Sequence, residues 1–226
     1  MTEAERICQL LAHARPLPIA VPQGEPFTSL HAGLAILAQA HYFMGLHELV
    51  SNQQWSDPEK SASLVAVLGA VGWKPGWPYC AAFVEACWTM GYLSLGAPAE
   101  WIDYVSKRLN PSVMRSLSAV GVLAEQSIPR PGAIFFMQKG FSQLGHEGLI
   151  VIATNRDMAT MEGNTAPGVI RAEADRDGDG LYVKVRRLAY QRSHGLHLRA
   201  IWNPPGLSEI KALLAGAQPV VASAGG

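Results

Sequence analysis

Three cysteines in 226 residues, Cys8, Cys80 and Cys87, are too few for a disulfide framework. None belongs to a Cys-x-x-Cys pair facing a second Cys or His cluster, so no structural zinc site is expected. Cys80 and Cys87 are two turns apart if both lie on one helix, beyond the reach of a disulfide, and free thiols are expected. Excess charge of either sign is missing as well: 18 Lys and Arg balance 18 Asp and Glu, without a dense basic run. That removes the electrostatic footprint of nucleic-acid or anionic-membrane binding. No segment reaches the roughly 18 apolar residues of a membrane span. The opening Met-Thr-Glu-Ala-Glu-Arg has neither the basic nor the apolar region of a secretory signal. Synthesis in the cytoplasm is therefore expected, with no cofactor, no metal, no nucleic acid and no membrane insertion.

What is present is ordinary globular composition, 49% hydrophobic, in a length that suits one domain with small extensions. Residues 2–14 carry Ile7, Leu10 and Leu11 at helical spacing, and Pro16 and Pro18 stop that helix. Thr28 or Ser29 can cap a second helix running through Leu34, Leu37 and Phe43 toward Gly45. A polar stretch follows, then a helix over Lys60 to Val71, a Gly/Pro turn, and a helical stretch from Ala81 to about Met90 with Gly91 as a stop. Residues 92–130 read as mixed and short-helical. From Pro131 the period changes. Runs at 133–137, 146–153, 159–162, 168–171, 181–188 and 198–202, separated by Gly, Asn and Asp, carry strand and hairpin signals. A short helix from Ser208 to about Leu214 precedes a loose Ala/Gly/Val tail from Ala217. The expected fold class is α+β, with N-terminal helices packed on a C-terminal antiparallel sheet.

Chemistry concentrates at a few positions. Cys80 follows the Gly/Pro turn and opens a helix, where first-turn N–H groups and the helix dipole favour thiolate over thiol. A thiolate nucleophile needs a base, and the base needs an orienting group. His146, in Gly145-His-Glu-Gly, opens a strand, and Glu162 and Asn164, in Met161-Glu-Gly-Asn-Thr, end the next; antiparallel neighbours can bring those ends together. Each piece alone has an ordinary reading: an inert core thiol, a sheet histidine, a turn. Their joint order is what points to a cysteine hydrolase. Asp175-Arg-Asp-Gly-Asp-Gly180 is similar to the first half of a calcium loop, yet Arg186 stands where the closing Glu belongs, so a tight acidic turn between strands is expected.

Four blocks, Trp77-Pro-Tyr-Cys80-Ala-Ala-Phe-Val, Pro131-Gly-Ala-Ile-Phe-Phe, Gly145-His146-Glu-Gly-Leu-Ile-Val and Glu162-Gly-Asn164-Thr, occur in order along the chain. They resemble the successive motifs of CHAP-type cysteine amidases and endopeptidases, peptidoglycan hydrolases related to the NlpC/P60 group, and the likeness spans roughly residues 30–203. It implies a papain-like catalytic domain at 28–203, flanked by an N-terminal helix and connector at 1–27 and a C-terminal helix and tail at 204–226. It also implies roles: Cys80 as nucleophile, His146 as general base and acid, Glu162 as the group orienting the imidazole, and Asn164 assisting it or touching substrate. Two positions depart from the family. Tyr79 replaces a Trp and keeps an aromatic wall. Glu147 replaces an aliphatic residue and is expected to be a solvated or ion-paired charge. A papain-like oxyanion Gln is missing from residues 72–79; the Cys80 N–H supplies one donor, with Asn52, Tyr79 or Trp77 as candidate substrate-binding partners.

The implied activity is hydrolysis of a peptidoglycan amide, at the muramoyl–L-alanine bond or within the stem peptide or cross-bridge. Such an enzyme acts at the cell wall after lysis, as a phage lysin, or after secretion into a rival cell as an antibacterial effector, in which case its producer keeps a cognate immunity protein. Two other readings stand beside it: a cysteine amidase acting on a small cytosolic peptide conjugate, and a non-catalytic module of a phage tail or secretion apparatus.

Overall fold

A computed structural model of the chain describes residues 25–50, 54–124, 128–166, 178–190 and 194–216. The leading helix expected at 2–14, the strand at 168–171 and the tail from Ala217 lie outside them. Helix α1 (Ser29–Phe43) starts where sequence logic puts it. Thr28 accepts from the His31 N–H at 3.3 Å, and His31 Nδ1 accepts in return from the Thr28 N–H at 3.2 Å. A small hairpin follows, β1 (Glu48–Val50) with β2 (Gln54–Trp55), inside the stretch whose polar composition carries no strand signal. Asp57 then caps α2 (Pro58–Ala70), accepting from the Glu59 and Lys60 N–H groups, with Pro58 in the first turn where its missing N–H costs nothing.

Helix α3 (Cys80–Ser94) is buried at every residue from Cys80 to Tyr92. A helix that is apolar all round suits only a position between layers, and α3 packs against α1 on one side and the sheet on the other. Gly91 does not stop it. A Cβ at Gly91 would stand 2.8 Å from the Ile36 backbone N and Cα, so this glycine lets α1 and α3 approach closely while the helix continues for another turn. The mixed stretch beyond supplies α4 (Ala99–Ser106), α5 (Val113–Val120) and a 3₁₀ turn at Gly121–Leu123. Strands β3 (Ile134–Lys139), β4 (Gly145–Ala153), β5 (Asp157–Thr165), β6 (Gly180–Arg187) and β7 (Leu196–Trp202) precede α6 (Leu207–Leu214).

The five long strands form one antiparallel sheet in the order β6-β5-β4-β3-β7, so the architecture is α+β as expected. One sheet face, with Ile134, Phe136, Leu149, Met161 and Trp202, joins the helices in the main core. The opposite face carries a second apolar cluster of Phe135, Met137, Ile150, Met158, Leu198 and Ile201. Burial on both faces explains why Ala133-Ile-Phe-Phe-Met reads as a continuous apolar run rather than an alternation. Two polar atoms lock α3 to the end of the sheet: Trp88 Nε1 donates to the Gly132 carbonyl at 2.9 Å and the Tyr92 hydroxyl to the Pro205 carbonyl at 3.0 Å. No helix of the described residues is long and apolar enough to cross a membrane.

Candidate active site

Cys80 is the first residue of α3, and it is 5% exposed. The turn before it is stiffened by Trp73, whose Nε1 donates to the Trp77 carbonyl at 2.8 Å. No side chain caps this end of α3. Its first-turn N–H groups and the positive end of its dipole are therefore directed at whatever lies beside the Cys80 sulfur.

His146 and Glu162 reach each other through the register of β4 and β5. Ile150 pairs with Thr160, and counting by twos from that pair puts Gly148, His146 and Glu162 on one face. The regular ladder ends at Leu149 and Met161, just short of both residues. Gly148 makes the room: a Cβ there would stand 2.8 Å from both Glu162 Cγ and the Phe135 ring. Across that gap His146 Nε2 meets Glu162 Oε2 at 2.7 Å, with both side chains fully buried. The start of α3 lies against the same strand ends, since a Cβ at Gly163 would come within 3.2 Å of the Phe83 and Tyr79 side chains.

Glu162 is held from three sides. Arg186, on β6, donates from Nε to Oε1 at 2.9 Å and from its terminal nitrogen to Oε2 at 2.5 Å, and the Thr160 hydroxyl donates to Oε1 at 2.5 Å. Burial by itself would raise the carboxyl's pKa, but the Arg186 fork, and then His146, bring it down to about 2. The group is a permanent anion at neutral pH. For His146 burial again comes first and would lower the pKa. Hydrogen bonding and charge attraction from Cys80 and Glu162 overcome it and hold the imidazole at about 9. Nδ1 forms no hydrogen bond of standard geometry, although Cys80 acts on the ring. Cys80 is thus near enough to act on the ring without a formed hydrogen bond. Such slack is common in active sites before substrate tightens them.

The remaining expected residues divide. Asn164, the residue before the last of β5, is in the left-handed region (φ 57), and its backbone acts on the Tyr79 hydroxyl, while Glu162 is the residue bonded to the imidazole. Tyr79 is fully buried, edge-on to Trp55 and Trp73, so its ring is part of the core rather than a wall offered to substrate. Burial, followed by the Glu48 carboxylate, pushes its phenol pKa upward. Trp77 stays 45% exposed. Asn52, Asp175 and Asp177 lie outside the described residues. Among the described residues no group of three or more His, Cys, Asp and Glu is arranged to hold a metal ion.

Glu147 overturns its expectation of a solvated or ion-paired charge. It pairs across the sheet with Phe136, a residue of the helix-facing core, and is fully buried with no hydrogen bond to either oxygen. Burial first, then the nearby charges of Cys80 and Glu85, raise its pKa well above the carboxylate range. The neutral form of Glu147 is favoured, with Cys80 among the groups that act on it.

Sequence reasoning passed over Thr160 and Arg186. Tyr182, Lys184 and Arg186 alternate with Leu181, Val183 and Val185, a pattern that reads as charges facing water. The fold inverts it at the centre of β6: Val183 is 47% exposed, while Lys184 and Arg186 are buried. Cys87 lies fully inside α3's packing, and burial pushes its thiol pKa well up, as suits a core thiol. No protein-family model matches the chain, and neither the curated proteins nor the solved structures yield a match.

Proposed function

We propose that this chain is a cysteine amidase with a papain-like catalytic domain, akin to the CHAP and NlpC/P60 peptidoglycan hydrolases. One observation carries the reading: a buried histidine bonded to Glu162 through Nε2, with a cysteine at the uncapped start of a helix close enough to act on the ring. Cys80 attacks the amide carbonyl as thiolate, and the oxyanion that forms is met by the Cys80 N–H and the helix dipole. His146, charged at neutral pH, passes its proton to the departing amine. The neutral imidazole then removes a proton from the water that splits the thioester, which restores the imidazolium and the thiolate. Glu162 stays ionised throughout because Arg186 holds it, so it does not take up the imidazole's proton, and the ring keeps its orientation as it gives and regains that proton.

The substrate proposed is an amide of peptidoglycan, reached after cell lysis or by injection into a rival cell, with a cognate immunity protein in the producer. Digestion of purified peptidoglycan by wild type and by Cys80→Ala, with new termini identified by mass spectrometry, tests the reading. Wild type is expected to release new amino and carboxyl termini, and Cys80→Ala to be slower by a factor on the order of 10⁴. Equal turnover by the two proteins would end the cysteine mechanism. A non-catalytic module is the second reading, and its support is the nearly closed site, with Cys80 5% and His146 0% exposed. Rapid alkylation of Cys80 in the native protein counts against that alternative.

A further inference from the structure

Tyr79, joined to Cys80 by a peptide bond, is fully buried, and its ring stands edge-on to Trp55 at 5.5 Å and to Trp73 at 6.3 Å. The end of β5 closes on the same ring, since a Cβ at Gly163 would come 3.2 Å from it. Phenylalanine would fill that space equally well, and a buried hydroxyl costs free energy unless polar neighbours answer it. Two groups act on this one. The Glu48 carboxylate, on β1, is placed to accept the hydroxyl proton and the Asn164 N–H, near the end of β5, to donate to its oxygen, both short of standard hydrogen-bond geometry. Both partners are pinned to the short segment ahead of β6: the Glu48 N–H donates to the Asp179 carbonyl at 2.6 Å, and the Gly178 N–H donates to the Asn164 carbonyl at 3.1 Å. Among the described residues Asn164 is the one non-glycine in the left-handed region, a backbone state that is kept where the surroundings fix it. Glu162 lies two residues before Asn164, and Arg186, on β6, holds Glu162. The Tyr79 hydroxyl therefore stands where the start of α3, the β1 segment and the strand end bearing Glu162 meet.

Resting on the amidase reading above, in which Cys80 and His146 react as a pair, we propose that Tyr79 is a positioning residue: its hydroxyl, held by Glu48 and the Asn164 backbone, fixes the start of α3 against the strand that carries Glu162 and so sets how closely Cys80 stands to His146. Cys80 acts on the ring without a formed hydrogen bond, so the thiolate's share at neutral pH follows the placement of the helix start. Without the hydroxyl the first turn of α3 is released from Glu48 and Asn164 while the aromatic packing remains. The thiolate then loses part of the imidazolium's support. The charged groups around the hydroxyl are Glu48 and Asp179, and those that act with the thiol are His146 and Glu147. A Tyr79→Phe exchange alters none of them.

The test follows alkylation by iodoacetamide across the pH range, read at Cys80 by peptide mass spectrometry. Tyr79→Phe is expected to react about tenfold more slowly than wild type at about pH 6 and at nearly the wild-type rate at about pH 10, where a thiol ionises without help; this is a rise of about one unit in the apparent thiol pKa. Glu48→Gln, whose amide oxygen still accepts the hydroxyl proton, should stay within about twofold of wild type, and Glu48→Ala should repeat the loss. A Tyr79→Phe profile that matches wild type at every pH, or lies below it by one constant factor, overturns the positioning role. Should Tyr79→Phe fail to fold, the two Glu48 variants decide, and equal rates for them overturn it likewise. Digestion of peptidoglycan separates this result from the amidase reading. Wild type that holds a thiolate at neutral pH yet cleaves no amide refutes the amidase and leaves the role of Tyr79 standing, whereas a Cys80 that titrates as an ordinary thiol in wild type ends both.

Discussion

Replacing Glu162 with Gln tests the electrostatic core of the site, because it removes one charge and almost no volume. The His146 imidazolium is held at about 9 against an ordinary value of 6.5, a gap of about 2.5 units or roughly 3 kcal/mol in favour of the charged ring. That surplus exists despite burial, the largest influence on the ring and one that opposes charge. Of the groups that overcome it, Glu162 supplies a formed hydrogen bond and an attraction, and Cys80 a looser interaction with the ring. The Gln variant loses the Glu162 charge and leaves the Arg186 guanidinium, formerly bonded to both carboxylate oxygens, facing a neutral amide there. The His146 pKa should fall by roughly 1.5 units or more, about 2 kcal/mol. At pH 7.5 the imidazolium then falls from the dominant form to about half or less. Titration of the imidazole C–H resonance, together with the pH–rate profile of Cys80 alkylation, measures this directly. The expected profile loses its plateau near neutrality. A variant in which His146 titrates within half a unit of wild type would refute the reasoning.

The same pair sets a pH dependence of stability whose sign follows from the two shifts. His146 is raised, so its contribution is complete below about 6.5 and is lost as pH climbs through about 9. Glu162 is lowered, so its contribution is complete above about 4.5 and is lost as pH falls toward about 2. Each is worth about 3 kcal/mol by that arithmetic, and since both include the His146–Glu162 contact they are not summed. Urea unfolding of wild type and Glu162→Gln at pH 3.5, 5.5 and 9 should show the largest difference at pH 5.5.

Three further outcomes are expected. Arg186→Met strips the guanidinium from a buried carboxylate and should destabilise the fold by about 3–5 kcal/mol in urea unfolding, whereas a loss under about 1 kcal/mol would mean that the fork contributes little. Glu147→Gln should be more stable than wild type by a margin that grows by about 1.4 kcal/mol per pH unit above the ordinary carboxyl range, because the raised acid is stabilising only while protonated and loses that as pH climbs; parallel stability curves would contradict the neutral-acid assignment. With an export signal added, wild type should lyse a bacterial host that the unaltered cytoplasmic form leaves unharmed, and Cys80→Ala should abolish the lysis while Cys87→Ala preserves it; equal harm in both compartments would point to a cytosolic substrate.

Much of this protein is written in short stretches of chain. Thr28 and Asp57 cap their helices from chemistry visible within three residues, and the Gly/Pro turn before Cys80 announces a helix start at that cysteine. Local backbone preference decides such features, so the sequence by itself determined where α1, α2, β4 and β7 begin, within a few residues. The order Cys80, His146, Glu162 was readable for the same reason: each residue sits at an element end that its neighbours declare. Packing between distant segments decided the rest. Gly91 reads as a helix stop until Ile36 arrives from α1 and makes it a contact point. Glu147 reads as a surface charge until β4 is laid against α3. Arg186 reads as solvated until β6 pairs with β5 and carries it to a carboxylate 24 residues away. Alternation along a strand separates two faces and does not say which one a neighbour will cover. Only the tertiary structure supplies that neighbour: the Arg186 fork that keeps Glu162 anionic against its burial, the partners that favour charge on His146 against its own, and the burial that disfavours charge on Glu147.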